Sequence, residues 1–207
     1  MTQTAAFPKL KRGLVAILRG LKPVEAVAIG QALFDAGIEA IEVPLNSPQP
    51  FASITRLAAR HGARALIGAG TVLQAPDVAR VKEAGGQLVV APNFDADVVR
   101  AARAAGLASL PGVMTPSEGF AALKAGADGL KLFPAEIIPP AVFKAWRPVF
   151  APDTLLLAVG GVGVDNIRSY AEAGASGYGI GSALYKPGRP AAEIGKLARA
   201  LFAAAKA

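Results

Sequence analysis

Eight short apolar runs punctuate this 207-residue chain, and an alanine-rich helical pattern follows each one. The runs are "LVAILR" (14–19), "AIEVPL" (40–45), "ALIGAGTV" (65–72), "LVVAP" (88–92), "ASLPGV" (108–113), "GLKLFP" (129–134), "LLLAVGGV" (155–162) and "GYGIGSAL" (177–184). Between them lie segments such as "PVEAVAIGQALFDAG" and "APDVARVKEAGG". Their apolar residues recur at helical spacing and they stop at glycine, a frequent helix end. Strands that alternate with helices pair in parallel through right-handed crossovers. Eight such units predict an α/β fold, a (β/α)8 barrel of the TIM type. An open doubly wound sheet needs fewer strands and usually a glycine-rich first turn, which "LRGLKP" does not supply. No linker, low-complexity tract or composition break interrupts the beat, so residues 1–207 read as one domain.

Composition narrows the partners. Hydrophobic residues make up 53% of the chain and charged residues 18%, which argues for a large core and against disorder. The net charge of +7 is dispersed along helical segments, with no basic run and no aromatics interleaved with arginine. It reads as solvated helix faces, compatible with an anionic substrate and not pointing to nucleic acid. No apolar run is long enough to span a membrane. The first residues, "MTQTAAFPKLKRG", lack the apolar core of a signal peptide. The absence of cysteine removes disulfides and thiolate metal sites and fits a cytoplasmic protein.

In such a barrel the active site gathers at the C-terminal strand ends. The polar residues there are Arg19, Glu42, Asn46, Thr71, Asn93, Thr115, Lys131, the Gly160–Gly161 pair and Gly181–Ser182. Side chains alternate along a strand. In "GLKLF" the leucines Leu130 and Leu132 suit the helix layer, which turns Lys131 into the barrel. In "AIEVPL" Ile41, Val43 and Leu45 take the helix side, which turns Glu42 inward as well. Burying either charge alone costs several kcal/mol, and a buried ion pair stabilises a fold poorly compared with apolar side chains. Catalysis is the better reason to keep both. Desolvation lowers a lysine pKa, and a neutral amine can attack a carbonyl to form a Schiff base. A carboxylate beside it can move the protons. That is the chemistry of an aldolase that needs no metal and no cofactor. A metal-dependent aldolase would need histidines and carboxylates converging on one site, and the chain has one histidine.

The glycines suggest the other end of a substrate. "AVGGVGVDNI" and "GIGSALY" both leave a strand through glycine and read as entering a helix. Backbone N–H groups there can hold phosphate, and barrels commonly do so after their seventh and eighth strands. His61, in "AARHGARA", reads as a surface or capping residue, and Trp146 as core or interface. "TPSEG" reads as a capped helix start at Thr115.

"AILRG", "EVPLNSP", "IGAGTV", "PG" followed by "TPSE", "GLKLFPAE", "AVGGV" and "GIGSALY" occur in one order over residues 12 to 186. Together they resemble the bacterial 2-keto-3-deoxy-6-phosphogluconate/galactonate aldolase family. That resemblance implies a class I aldolase on a (β/α)8 barrel, a phosphorylated sugar acid as substrate, and a homo-oligomer, a trimer in many members. It matches Lys131 with the Schiff-base lysine and Glu42 with the proton-transfer glutamate. It matches Arg19 and Thr71 with substrate-binding positions. Gly160, Gly161 and Val162, with Gly181 and Ser182, match the segments that hold the phosphate end. "EVPLNSP" places Asn46 where the phosphogluconate branch carries an arginine that holds a carboxylate. The "PLNSP" form is similar to the phosphogalactonate branch. It implies cleavage of 2-dehydro-3-deoxy-6-phosphogalactonate to pyruvate and glyceraldehyde 3-phosphate, with Asn46 at the substrate and Arg19 or Thr71 taking over the carboxylate.

Overall fold

A computed structural model describes residues 13–206. Residues 1–12 of the N-terminal segment read as lacking an apolar leader lie outside the described residues. Each of the eight apolar runs contributes to a parallel sheet. Its strands are β1 (Leu14–Ile17), β2 (Ala40–Pro44), β3 (Leu66–Gly70), β4 (Leu88–Val90), β5 (Ala108–Leu110), β6 (Gly112–Val113), β7 (Gly129–Leu132), β8 (Leu155–Val159) and β9 (Gly177–Ile180). They run in the order β5-β4-β3-β2-β1-β9-β8-β7-β6.

The two ends of that order, β5 and β6, are halves of the single run "ASLPGV". Pro111 divides them because it has no N–H to give to a ladder. The first half pairs with β4 and the second with β7, and the Pro111 carbonyl accepts the Lys131 N–H at 2.9 Å. The sheet therefore curls round on itself as a barrel, and the proline kink sits where the ring closes.

Alternation sorts the side chains into two layers. Val15, Ala40, Leu88, Val90, Leu110, Leu157 and Val159 fill the interior. Leu14, Ile41, Val43, Ile67, Leu130, Leu132, Leu156 and Ile180 pack outward against the helices. Those helices are α1 (Ala26–Asp35), α2 (Pro50–His61), α3 (Ala75–Glu83), α4 (Ala96–Ala105), α5 (Pro116–Ala125), α6 (Pro140–Trp146), α7 (Ile167–Glu172) and α8 (Ala191–Lys206). Each fully buried leucine or isoleucine contributes about 1.5–3 kcal/mol relative to exposure, so this outer layer carries most of the fold's driving force.

Local signals start the helices. Glu118 Oε2 accepts the Thr115 N–H at 2.8 Å, and Thr115 Oγ1 accepts the Glu118 N–H at 3.3 Å, closing the capping box that "TPSE" predicts. Trp146 is in the core, 5.8 Å from the Phe150 ring. His61 departs from the sequence reading: it is buried, with 1% exposure, instead of capping a surface helix. The cause is Gly30 on α1. A methyl group there would press on the ring at 3.2 Å, and its absence lets His61 pack under α1 against Phe34, ring centroids 4.4 Å apart.

Candidate active site

Glu42 and Lys131 both point into the barrel, as the alternation predicts. They are 2% and 7% exposed. In register, Glu42 lies beside Ile17 on β1 and Gly68 on β3, and Lys131 beside Gly112 on β6 and Leu157 on β8. "IGAG" ends in glycine for reasons of space, since a Cβ on Gly70 would overlap the Glu42 carboxylate. The Phe133 ring flanks the amine, its centroid 4.6 Å from Nζ.

The electrostatics follow from that burial. Desolvation pushes the Glu42 carboxyl up to about 7, against the opposing pull of Lys131 and Arg19. Desolvation also lowers the Lys131 ammonium below the usual lysine range; Glu42 opposes the fall and Arg19 adds to it. Glu42 Oε2 is buried and has no hydrogen-bond partner among the described residues. An acid near neutrality thus faces an amine that loses its proton more readily than an ordinary lysine. Such a pair can supply a nucleophile and can both accept and return a proton close to neutral pH.

A cavity of about 740 Å³ opens above the pair, at the C-terminal ends of the strands. Arg19, Glu42, Lys131, Gly160, Gly161, Val162, Gly181 and Ser182 all line it. At its far side the chain leaves β8 through Gly160 and Gly161, at φ 100° and 66°, a left-handed path that glycine takes without strain. Asn166 fixes that turn: its Oδ1 accepts the Gly163 N–H and its Nδ2 donates to the Gly161 carbonyl, both at 2.9 Å. The amides of Gly161, Val162, Ser182 and Ala183 donate no hydrogen bond to any other described residue. The segment after β8 leads into α7, whereas residues 182–184 after β9 form a turn and not the predicted helix. Two such segments, whose N–H groups have no partner among the described residues, suit an anion such as phosphate.

Two sequence-predicted residues stand apart. Asn46 is not among the lining residues; its Oδ1 accepts a hydrogen bond from Arg19 Nη1 at 2.7 Å. Thr71, held at a left-handed φ of 55°, does not line the cavity either. Asn93 and Thr115, noted at strand ends, are likewise outside it. Conversely, Phe133, Glu136, Val159, Asp165, Tyr185 and Lys186 line the cavity and were not singled out. The strand pattern held a signal for two of them, since Phe133 shares Lys131's face and Val159 ends β8.

Residues 9–196 match the family described as KDPG and KHG aldolase. The chain is 47% identical to a probable 2-dehydro-3-deoxy-6-phosphogalactonate aldolase of Rhizobium meliloti, over 96% of this chain and 93% of that protein. It is 45% identical to the 2-dehydro-3-deoxy-6-phosphogalactonate aldolase of Escherichia coli, over 86% and 87%. Among solved structures it is similar to native KDPGal, with a TM-score of 0.91 and 41% identity, covering 100% of this chain and 98% of the other.

Proposed function

The chain belongs to the KDPG and KHG aldolase family, and from that premise we propose that it cleaves 2-dehydro-3-deoxy-6-phosphogalactonate to pyruvate and glyceraldehyde 3-phosphate. The observation that carries the reading is the juxtaposition of buried Lys131 and Glu42 beneath a polar cavity. The neutral Lys131 Nζ attacks the C2 carbonyl, the carbinolamine hydroxyl leaves as water with the proton of the Glu42 carboxyl, and a protonated imine remains on C2. Glu42 takes the proton of the C4 hydroxyl. The C3–C4 bond then breaks, its electron pair moves into the imine to give an enamine, and the aldehyde departs. Glu42 returns the proton to C3, and water hydrolyses the protonated imine to release pyruvate and the neutral amine, the proton set free going back to the Glu42 carboxylate. A carboxyl titrating near 7 serves both directions of that transfer.

Arg19 suits the substrate's carboxylate. The turns at Gly160–Val162 and Gly181–Ser182 suit the phosphate, on the cavity wall with free amides. Two phosphogalactonate aldolases at 47% and 45% identity support the galactonate epimer, as does Asn46 in "EVPLNSP". No metal enters this sequence of steps, and we expect activity to persist in excess EDTA. Exposed Met114, Phe120, Ile137 and Val149 offer apolar surface for self-association, which supports a homo-oligomer; we expect a trimer, testable by light scattering on a sizing column. A phosphorylated acid does not cross a bilayer unaided, which supports a cytoplasmic enzyme.

Two measurements test the proposal. Borohydride added with pyruvate should leave a covalent adduct on Lys131, read by peptide mass spectrometry; an active enzyme with Lys131 unlabelled refutes the mechanism. Purified protein should release pyruvate from the galactonate epimer faster than from the gluconate epimer; the reverse order refutes the substrate and leaves the mechanism standing.

A further inference from the structure

We propose that Asn46 is a positioning residue that pins the Arg19 guanidinium over the cavity, where it takes the carboxylate of the bound 2-oxo acid, and that Asn46 does not itself bind substrate. The inference rests on the aldolase reading above. The first observation is the short contact from Arg19 Nη1 to Asn46 Oδ1 at 2.7 Å. The second is a parallel tie one residue further on: Ser47 Oγ, buried, accepts the Gly20 N–H at 3.0 Å. Residues 46 and 47, just past β2, therefore grip residues 19 and 20, just past β1, through one side-chain and one backbone donor. The third observation is that Arg19 lines the cavity and Asn46 does not.

The chemistry locates the carboxylate. It is bonded to the same carbon that Lys131 attacks, so its charge must come to rest beside the Lys131–Glu42 pair. Arg19 is the guanidinium whose charge both members of that pair feel. Arg19 is exposed, and a free arginine side chain on a surface samples many rotamers. Ordering it only when substrate binds would weaken binding, whereas a guanidinium already held by an amide oxygen loses less freedom. Asn46 leaves the other guanidinium nitrogens available for a bidentate grip on carboxylate.

The test is a double-mutant cycle with Asn46→Ala, Arg19→Ala and the combined variant. Both residues are exposed, so the fold does not depend on them. Borohydride trapping at Lys131 is titrated with pyruvate and, separately, with methyl pyruvate, an ester with no charge to grip. Asn46→Ala should raise the pyruvate concentration for half-maximal trapping about tenfold, the scale of one hydrogen bond to a charged group. It should leave methyl pyruvate unchanged and should add nothing in the Arg19→Ala background. In substrate cleavage the same variant should raise KM more than it lowers kcat. An equal loss for pyruvate and its ester, an undiminished loss in the Arg19→Ala background, or no loss at all overturns the positioning role. Failure of the wild type to trap pyruvate overturns the aldolase reading, and this inference with it.

Discussion

Replacing Glu42 with glutamine should make the protein more stable and less active, and the stability gain should depend on pH. Burial raises the Glu42 carboxyl from 4.5 to about 7. Each pH unit corresponds to roughly 1.4 kcal/mol, so holding this group ionised in the folded state costs about 3 kcal/mol. The sign follows from proton linkage. A carboxyl whose folded pKa lies above its unfolded value contributes its stability in full below about pH 4.5 and loses it as the pH rises through about 7. Glutamine carries no charge and escapes that loss. The difference between variant and wild type should therefore be small at the acid end, grow between 4.5 and 7, and level off above. Urea unfolding near pH 5 and again near pH 8.5, at one protein concentration, would read it. A change of 2 to 3 kcal/mol corresponds to a midpoint shift of about 1 M, if the m-value is roughly 3 kcal/mol per molar. Turnover of the same variant should fall on the order of a hundredfold or more, typical for loss of acid–base help. A stability difference that is the same at both pH values would mean that the carboxylate is not the desolvated charge described above. Near-normal turnover would mean that another group carries the protons.

Lys131→Arg should be inactive and leave no borohydride adduct, because a guanidinium stays protonated and cannot attack the carbonyl; a labelled or active variant would contradict the nucleophile. Gly181→Ala should fold normally, since its added methyl meets nothing within 4 Å. It should nevertheless raise KM for phosphorylated aldehyde in the reverse reaction more than for glyceraldehyde, and equal effects would move the phosphate elsewhere. His61 has its imidazolium disfavoured by burial, so its own contribution to stability should decline as the pH falls below 6.5 and the unfolded chain takes up a proton the folded one refuses, opposing the gain from Glu42 over the same range. His61→Leu should remove that contribution, so the variant gains more stability than wild type as the pH is lowered from 7.5 to 5, measured by thermal unfolding; the same slope in both would place no proton linkage at His61.

The barrel was legible because strand and helix periods are local. "GLKLF" and "AIEVPL" each state their own inside and outside within five or six residues. Once eight such units are counted, closure follows from the steric rules of parallel crossovers. Lys131 and Glu42 were legible for the same reason, being charges on the interior phase of two strands. What local pattern did not give was the break at Pro111. The run "ASLPGV" reads as one strand, yet a proline at a position that needs a donor turns it into two short pairings with different neighbours.

His61 was misread, and the Arg19 partner of Asn46 was not foreseen, for a common physical reason, and it is not a lack of local signal. Each has an ordinary local environment: His61 ends a helix before glycine, and Asn46 follows a strand in a polar turn. What decides their roles lies 27 or more residues away. Arg19 reaches Asn46 across the gap between two strand ends, and Gly30 and Phe34 receive His61 across a helix pair. A residue's period in its own element tells which layer it enters. It does not tell which side chain waits there, because that depends on how far neighbouring elements are rotated and staggered. The interior of the barrel is forgiving in this respect, since all strands converge on one space and any inward charge meets any other. The rim and the helix layer are not, and there the partner has to be seen. The distinction also orders the experiments: substitutions at Lys131 and Glu42 test the chemistry that convergence imposes, while those at Asn46 and His61 test contacts that only the assembled fold creates.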